Sequence, residues 1–297
     1  MDDCKITVMN AGSPITLEPV VCCRKLQEIP IAGMPLENLL KKRLAELAQT
    51  GTVKIHPALW PSAELLESLD PCGSSVVIDD DGSELLVFVT EDCDISVPTV
   101  LKGLRGSLVL RYPWDLLELN SRIISELSES KIEGTVRERV SIDGFIELGE
   151  GSVLLPGVYI EGNAVIGKNC KIGPNCYIRG NTAIGDNCHI GQAVEVKNSL
   201  FMDNVSAGHL SYIGDSVICS GTNLGAATIT ANLRHDGKNH ASMVEDTMID
   251  TGRRKLGVII GDDVHTGINT SIYPGRKIWP HGTTRPGGIV TKDIKPE

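Results

Sequence analysis

Side chains able to move protons or meet phosphate gather in two stretches of this chain. The first holds Val194-Glu195-Val196-Lys197-Asn198-Ser199 and then Gly208-His209-Leu210-Ser211-Tyr212-Ile213-Gly214-Asp215. The second holds Leu224-Gly225-Ala226-Ala227-Thr228-Ile229-Thr230-Ala231-Asn232-Leu233-Arg234-His235-Asp236-Gly237-Lys238. An imidazole such as His209 titrates near neutral pH, which suits a general base. His235 and His240 have the spacing of a metal pair, but zinc needs a third ligand and position 199, at the matching distance upstream, is serine. Arg253, Arg254 and Lys255 form a basic run in an acidic chain and either solvate a loop tip or bind phosphate.

Both stretches interrupt a repeat, and a repeat is scaffold, so chemistry is expected where it breaks. Leu148, Leu154, Ile160, Ile166, Ile172, Ile178, Ile184, Ile190 and Val196 fall on one six-residue grid. Small side chains follow the first eight by four places: Ser152, Val158, Ala164, Cys170, Cys176, Thr182, Cys188 and Val194. Short strands repeated in this way bury one another's apolar row and pair backbone to backbone, which makes a solenoid. The grid runs to about Met202, loosens around Gly208 to Ile213, resumes at Ile218 and Leu224, and breaks near Thr230. It returns at Ile260 and continues through Thr266, Ile272, Ile278, Thr284 and Val290. Residues 230–257 therefore leave a coil and come back in register, and so long a loop in a compact fold points to function or disorder.

The first ~110 residues read as a small α/β unit, with short apolar runs and one clear helical stripe after Pro35 (Leu36, Leu39, Leu40, Leu44, Leu47) ended by Thr50 and Gly51. Asp79-Asp80-Asp81-Gly82 reads as a hairpin turn rather than a metal site. A second amphipathic stretch, Trp114 to Leu127, and the polar residues after it form a connector, with Asn120 and Ser121 on a polar helix face. The expected division is 1–112, 113–138 and 139–297. A net charge of −10 and a pI near 5.2 argue against general nucleic-acid or anionic-membrane binding. No signal peptide or bilayer-length apolar run is visible, so a cytoplasmic address is expected. The nine cysteines then read as reduced thiols, with Cys170 and Cys188 stacked as buried fillers rather than bridged.

On VEVKNS, GHLSYIGD and TANLRHDGK, in that order and spacing, the chain resembles the acetyltransferase half of the bifunctional N-acetylglucosamine-1-phosphate uridyltransferase/glucosamine-1-phosphate acetyltransferase family. It is still more similar to the archaeal sugar-phosphate nucleotidyltransferase/acetyltransferase relatives that carry a TGRRKLG-type segment, here Thr251 to Gly257. The resemblance covers residues 108–294. It implies a left-handed parallel β-helix behind a truncated nucleotidyltransferase-like α/β domain, a homotrimer with sites between subunits, and acetyl-CoA as co-substrate with no metal. The implied reaction is N-acetylation of a hexosamine-1-phosphate, glucosamine-1-phosphate first, on the way to a UDP-N-acetylhexosamine.

The resemblance makes His209 the base that deprotonates the sugar ammonium. It places Tyr212, Asn223 and Asn232 at the amino sugar and Arg179, Lys197 and Lys238 at its phosphate. Backbone N–H groups of Ala226 and Ala227 would neighbour the thioester oxygen, and Arg253, Arg254 and Lys255 the phosphates of coenzyme A or sugar. Leu233 stands where bacterial members show Tyr, and Ala227 replaces the commoner Gly. The chain ends at Glu297 soon after the last hexad, without the tail that helps bind coenzyme A in bacterial relatives. The Gly-rich phosphate loop that opens a nucleotidyltransferase domain has no match, since the start offers only Asn10-Ala11-Gly12-Ser13, while Glu28 to Leu36 resembles the segment that follows it. Nucleotidyl transfer is accordingly not expected. Alternatives are a regulatory or structural protein without catalysis, which the intact His209 motif argues against, and a zinc lyase of the γ-carbonic-anhydrase kind.

Overall fold

The aliphatic grid becomes three faces of in-register parallel strands in the computed structural model, which describes residues 5–10, 15–70, 72–90 and 98–296. The chain divides into two compact units: Met1–Ser13, Arg24–Ile29 and Met34–Arg111 form one, and Pro14–Cys23, Pro30–Gly33 and Tyr112–Glu297 the other. In the second unit the first face has eight strands, the second six and the third eight. Each turn of the chain lays one short strand on each face, as Ile146–Leu148, Val153–Leu154 and Tyr159–Glu161 do. This is the expected parallel β-helix of hexapeptide repeats, preceded by the expected small α/β unit.

The inward row from Leu148 to Val196 is buried throughout, and so are all eight small residues that follow it. Each buried Ile or Leu contributes roughly 1.5–3 kcal/mol relative to exposure. The small residues also serve the backbone at the corners: Ser152 Oγ donates to Gly167 O at 2.6 Å, Cys170 Sγ to Gly185 O at 3.0 Å and Cys188 Sγ to Met202 O at 3.1 Å. Cys170 and Cys188 are thus free thiols used as corner donors.

The irregularity lies elsewhere than the grid suggests. Ala207 and Ile213 keep the six-residue step, because Ile190 pairs with Ala207 and Val196 with Ile213. Two sides are instead short by one residue, so that Phe201 follows Val196 inward and Ile218 follows Ile213. At regular coils this corner is Gly162-Asn163-Ala164 or Gly180-Asn181-Thr182, but at the short ones it is Asn198-Ser199 and Asp215-Ser216. Asn198 and Asp215 take positive φ, +45° and +51°, as Gly162 and Gly180 do at the regular corners.

The longer corners carry the helix Asp115–Ser125. Asn163 Nδ2 donates to the carbonyls of Ile124 and Leu127, and Asn181 Nδ2 to Ser121 O and Oγ. Asn120 is not on a solvated polar face: it is buried, accepts from Ala32 N at 3.1 Å and donates to Asn181 O at 3.2 Å. A helix lying on a solenoid must satisfy the corner amides it covers, and this asparagine does so.

The excursion leaves after Ile229–Thr230 and returns at Val258–Ile260, with a hairpin of Ala241–Val244 and Thr247–Asp250 between. Ile218 pairs with Ile260 and Ile229 with Ser271, so the flanking coils stack on each other across the insertion, as the returning grid predicts.

Lys277, in the last coils, is 2% exposed, with its ammonium 5.8 and 5.9 Å from the ring centres of Trp114 and Trp279. Burial pulls its pKa down to about 8 from an ordinary 10.5. Between those values the unfolded chain binds more protons than the folded one, so this group makes stability rise with pH. Lys277→Met is expected to abolish that contribution, checked by chemical denaturation of both proteins between about pH 7 and pH 10; parallel profiles would refute it.

The first unit has a five-stranded mixed sheet in the order Ile6–Val8, Gly51–Ile55, Glu84–Thr90, Ser74–Ile78, Thr99–Lys102. The expected helix is shorter than its stripe, Leu36–Arg43, with Leu47 in a separate single turn. Gly51 does not end that helix but opens a strand, where a Cβ would lie 2.2 Å from Val89 O. Asp79 to Ser83 link two antiparallel strands through Gly82 at φ +86°, the hairpin turn read from the sequence.

Candidate active site

Outward side chains of the third face form columns because the coils stack in register. Arg179, Lys197 and Gly214 occupy one column, and Tyr177, Glu195 and Tyr212 another. Arg179 donates from Nε and Nη2 to Glu195 Oε1 at 2.8 and 2.6 Å and lies 5.3 Å from the Tyr177 ring centre. Lys197 Nζ meets Asp215 Oδ2 at 2.8 Å, and both side chains are largely buried, at 15% and 4% exposure.

Asn232, from the start of the excursion, donates from Nδ2 to the same Asp215 Oδ2 at 2.6 Å and to Tyr212 Oη at 2.9 Å. Asn198 Nδ2 donates to Asp215 Oδ1 at 3.0 Å. The tyrosine can lie across the face only because residue 214 lacks a side chain: a Cβ there would be 2.5 Å from Tyr212 Oη and 2.7 Å from Asn232 Nδ2. Burial, then the charges of Asp215 and Glu195, push the Tyr212 hydroxyl up from its ordinary pKa, so it stays protonated. Arg179, Lys197, Tyr212 and Asn232 are thus brought to one face. Glu195, Asn198, Gly214 and Asp215 join them, and these the sequence reading had not assigned.

His209 ends a strand of the second face, across one corner from Tyr212. Its side chain is exposed, and among the described residues no hydrogen bond reaches the ring. Its carbonyl accepts from Ser211 Oγ at 2.8 Å and from Ala227 N at 3.1 Å. The Ala226-Ala227 corner therefore rests directly on His209. The Ala227 N–H is committed to that bond, whereas among the described residues nothing accepts the Ala226 N–H. His189 lies one coil earlier on the same face, and burial, then Lys171 and His209, lowers its pKa.

Other assigned residues stand apart from that cluster. Asn223 is exposed on the second face, paired with Ser206. Lys238 is exposed, its backbone N–H donating to Asp236 Oδ1. Arg253 is half-buried with Nη1 3.8 Å from Glu118 Oε2, while Arg254, exposed, donates to Gly237 O, and Lys255 is exposed beside Leu233. His235 is exposed, but His240 is buried with Nε2 3.0 Å from Asn232 O and a pKa lowered by burial, so this ring supports the loop that carries Asn232. Where the excursion meets the last coils there is an open cavity of about 670 Å³, walled by Leu233, His235, Met248, Tyr273 and Arg276 among others. Ala11, Gly12 and Ser13 lie outside the described residues.

A family profile described as "GMPPB C-terminal domain" matches residues 160–285. A bifunctional sugar-1-phosphate nucleotidylyltransferase/acetyltransferase of Sulfurisphaera tokodaii is 42% identical over 182 residues, 61% of this chain and 45% of that protein. A bifunctional protein GlmU of Methanococcus maripaludis is 47% identical over 184 residues, 62% and 44% of the two chains. The chain thus spans about half the length of the curated relatives it matches, and what it matches is their C-terminal, acetyltransferase half. LpxA from Acinetobacter baumannii aligns over 57% of this chain and 67% of that chain with 17% identity and a TM-score of 0.24.

Proposed function

We propose, from this homology to the acetyltransferase half of bifunctional sugar-1-phosphate nucleotidylyltransferase/acetyltransferases, that the chain transfers an acetyl group from acetyl-CoA to the amine of a hexosamine-1-phosphate. One observation carries the reading. Residues from three separate segments, Lys197, Tyr212 and Asn232, meet around Asp215 through bonds of 2.6–2.9 Å, next to Arg179 on the same face. An amino-sugar phosphate asks for cations and for oriented donors and acceptors, and this face offers both.

His209, exposed and unencumbered, takes a proton from the sugar ammonium. That proton passes to solvent, the freed amine attacks the thioester carbonyl, and the imidazole takes a second proton from the nitrogen of the adduct, whose collapse expels the thiolate, which recovers this second proton from the imidazolium. The Ala226 N–H, next to His209 and without an internal acceptor, suits the oxygen on which charge grows. Lys238 and Arg254, exposed on the excursion, remain candidates for phosphate. No metal is assigned a part in the transfer. Nucleotidyl transfer is not part of the proposal, nor is a purely structural role.

The proposed assembly is a homotrimer. Leu210 and Ile268 near His209, and Ile229 and Ile289 on the third face, are large apolar side chains left exposed, as expected of surfaces covered by another chain. Sedimentation equilibrium is expected to give three times the 31.9 kDa chain mass, and a monomer would remove this part of the proposal. No helix among the described residues is long and apolar enough to cross a membrane. A cytoplasmic address is proposed, in keeping with the seven described cysteines standing outside any disulfide. The reaction is tested by thiol release from acetyl-CoA with glucosamine-1-phosphate, with galactosamine-1-phosphate as the competing substrate. Absence of release with either would reject the proposal.

A further inference from the structure

Asp215 is not a ligand contact in any assignment above, yet it holds more of the site than any other side chain. Its carboxylate accepts from Lys197 Nζ, Asn198 Nδ2 and Asn232 Nδ2 at 2.8, 3.0 and 2.6 Å. Its backbone N–H donates to Lys197 O at 2.8 Å, and its carbonyl accepts from Gly257 N at 2.8 Å where the excursion returns. Regular coils show Gly at the corresponding corner, so an acidic residue with φ +51° stands where the contraction of the coil brings the two ends of the site together.

The hydrogen-bond arithmetic at Asn232 has a definite outcome. Both Nδ2 hydrogens are spent, one on Asp215 Oδ2 and one on Tyr212 Oη. Among the described residues no donor reaches Asn232 Oδ1, which is left as an acceptor. Tyr212 Oη accepts from Asn232, so its own proton must go to another oxygen, and among the described residues none takes it.

We infer that Asp215 is a positioning residue that locks the Asn232 amide so that one acceptor, Asn232 Oδ1, and one donor, the Tyr212 hydroxyl, face the ligand together. This pair complements a donor beside an acceptor, as an amine N–H beside a hydroxyl or ring oxygen of an amino sugar presents them. The inference rests on the proposed reaction for its ligand, but the lock itself belongs to the fold.

The test is kinetic and structural. Asp215→Asn keeps the shape but removes the charge and turns an NH2 toward groups that themselves donate, Lys197 Nζ, Asn198 Nδ2 and Asn232 Nδ2, and so releases the lock. The KM for glucosamine-1-phosphate is expected to rise about tenfold with the KM for acetyl-CoA unchanged. Because Asp215 acts through Asn232 as well as through Lys197, adding Asp215→Asn to Asn232→Ala should cost less than the roughly tenfold it costs alone, whereas a general structural role would make the two effects multiply. An unaltered sugar KM in folded D215N, or multiplying effects, overturns the inference. Should D215N not fold, Asn198→Ala loosens the carboxylate without removing it, and is expected to move the same KM in the same direction; no change would count against it. Should the unaltered protein release no thiol, the proposed reaction fails, and the lock is judged by a crystal structure of D215N. There the contact between Asn232 and Tyr212 is expected to be broken, and its survival overturns the lock.

Discussion

Replacing His209 by alanine is expected to lower kcat for thiol release by ~10²- to 10⁴-fold with little change in the KM for the amino-sugar phosphate. The ring is exposed and makes no hydrogen bond among the described residues, so nothing in the fold depends on it. A substitution at such a position moves stability by no more than about 0.5 kcal/mol. Loss of turnover in H209A would therefore report chemistry rather than unfolding, and equal melting temperatures for the two proteins check that separation. His209→Asn, which keeps a polar planar group without its basicity, should fail equally. Residual activity within a factor of a few of the parent protein would falsify the assignment of the base, whatever the fate of the neighbouring residues.

Gly191→Ala is expected to damage both the fold and the site. A Cβ on Gly191 would lie 1.9 Å from Gly208 O and 2.6 Å from Gly208 C, which are backbone atoms of the next coil and cannot rotate away. Overpacking of this kind typically costs about 1–3 kcal/mol and more where backbone must move. Gly208 immediately precedes His209, so whatever displacement relieves the clash is handed to the strand that carries the proposed base. Thermal melting should show the loss of stability, and activity at a temperature where the variant is still folded should show a drop in kcat. A fully active variant of unchanged melting temperature would mean that adjacent coils tolerate far more separation than their register implies.

The solenoid was legible because its residues speak locally: one aliphatic every six positions and one small residue four places later decide inward and corner positions without reference to anything distant. The excursion was legible for the same reason, through the return of the grid at Ile260. What escaped were contacts made by topology. The irregular stretch was read at Gly208 to Ile213, whereas the contraction is at Asn198 and Asp215, since losing one residue at a corner leaves each strand's composition unaltered. Asn120 looks like any polar helix residue until the backbone of Ala32 and the corner at Asn181 close over it. Asp215 was hidden best, because Gly214-Asp215 repeats the form of Gly185-Asp186, a routine turn pair. Only the arrival of Asn232 from beyond the next corner separates their roles.

Because Ile218 pairs with Ile260 and Ile229 with Ser271 across residues 231–257, the stacked scaffold treats this segment as an appendage plugged into a socket. Its sequence and length are released from the spacing rule that governs the rest of the unit. Under the proposed function, substrate preference can consequently drift by exchange of one cassette while the framework carrying His209, Arg179 and Lys197 stays put. Transplanting the corresponding segment from a relative with a different sugar preference should carry that preference with it, provided the asparagine that docks on Asp215 travels too.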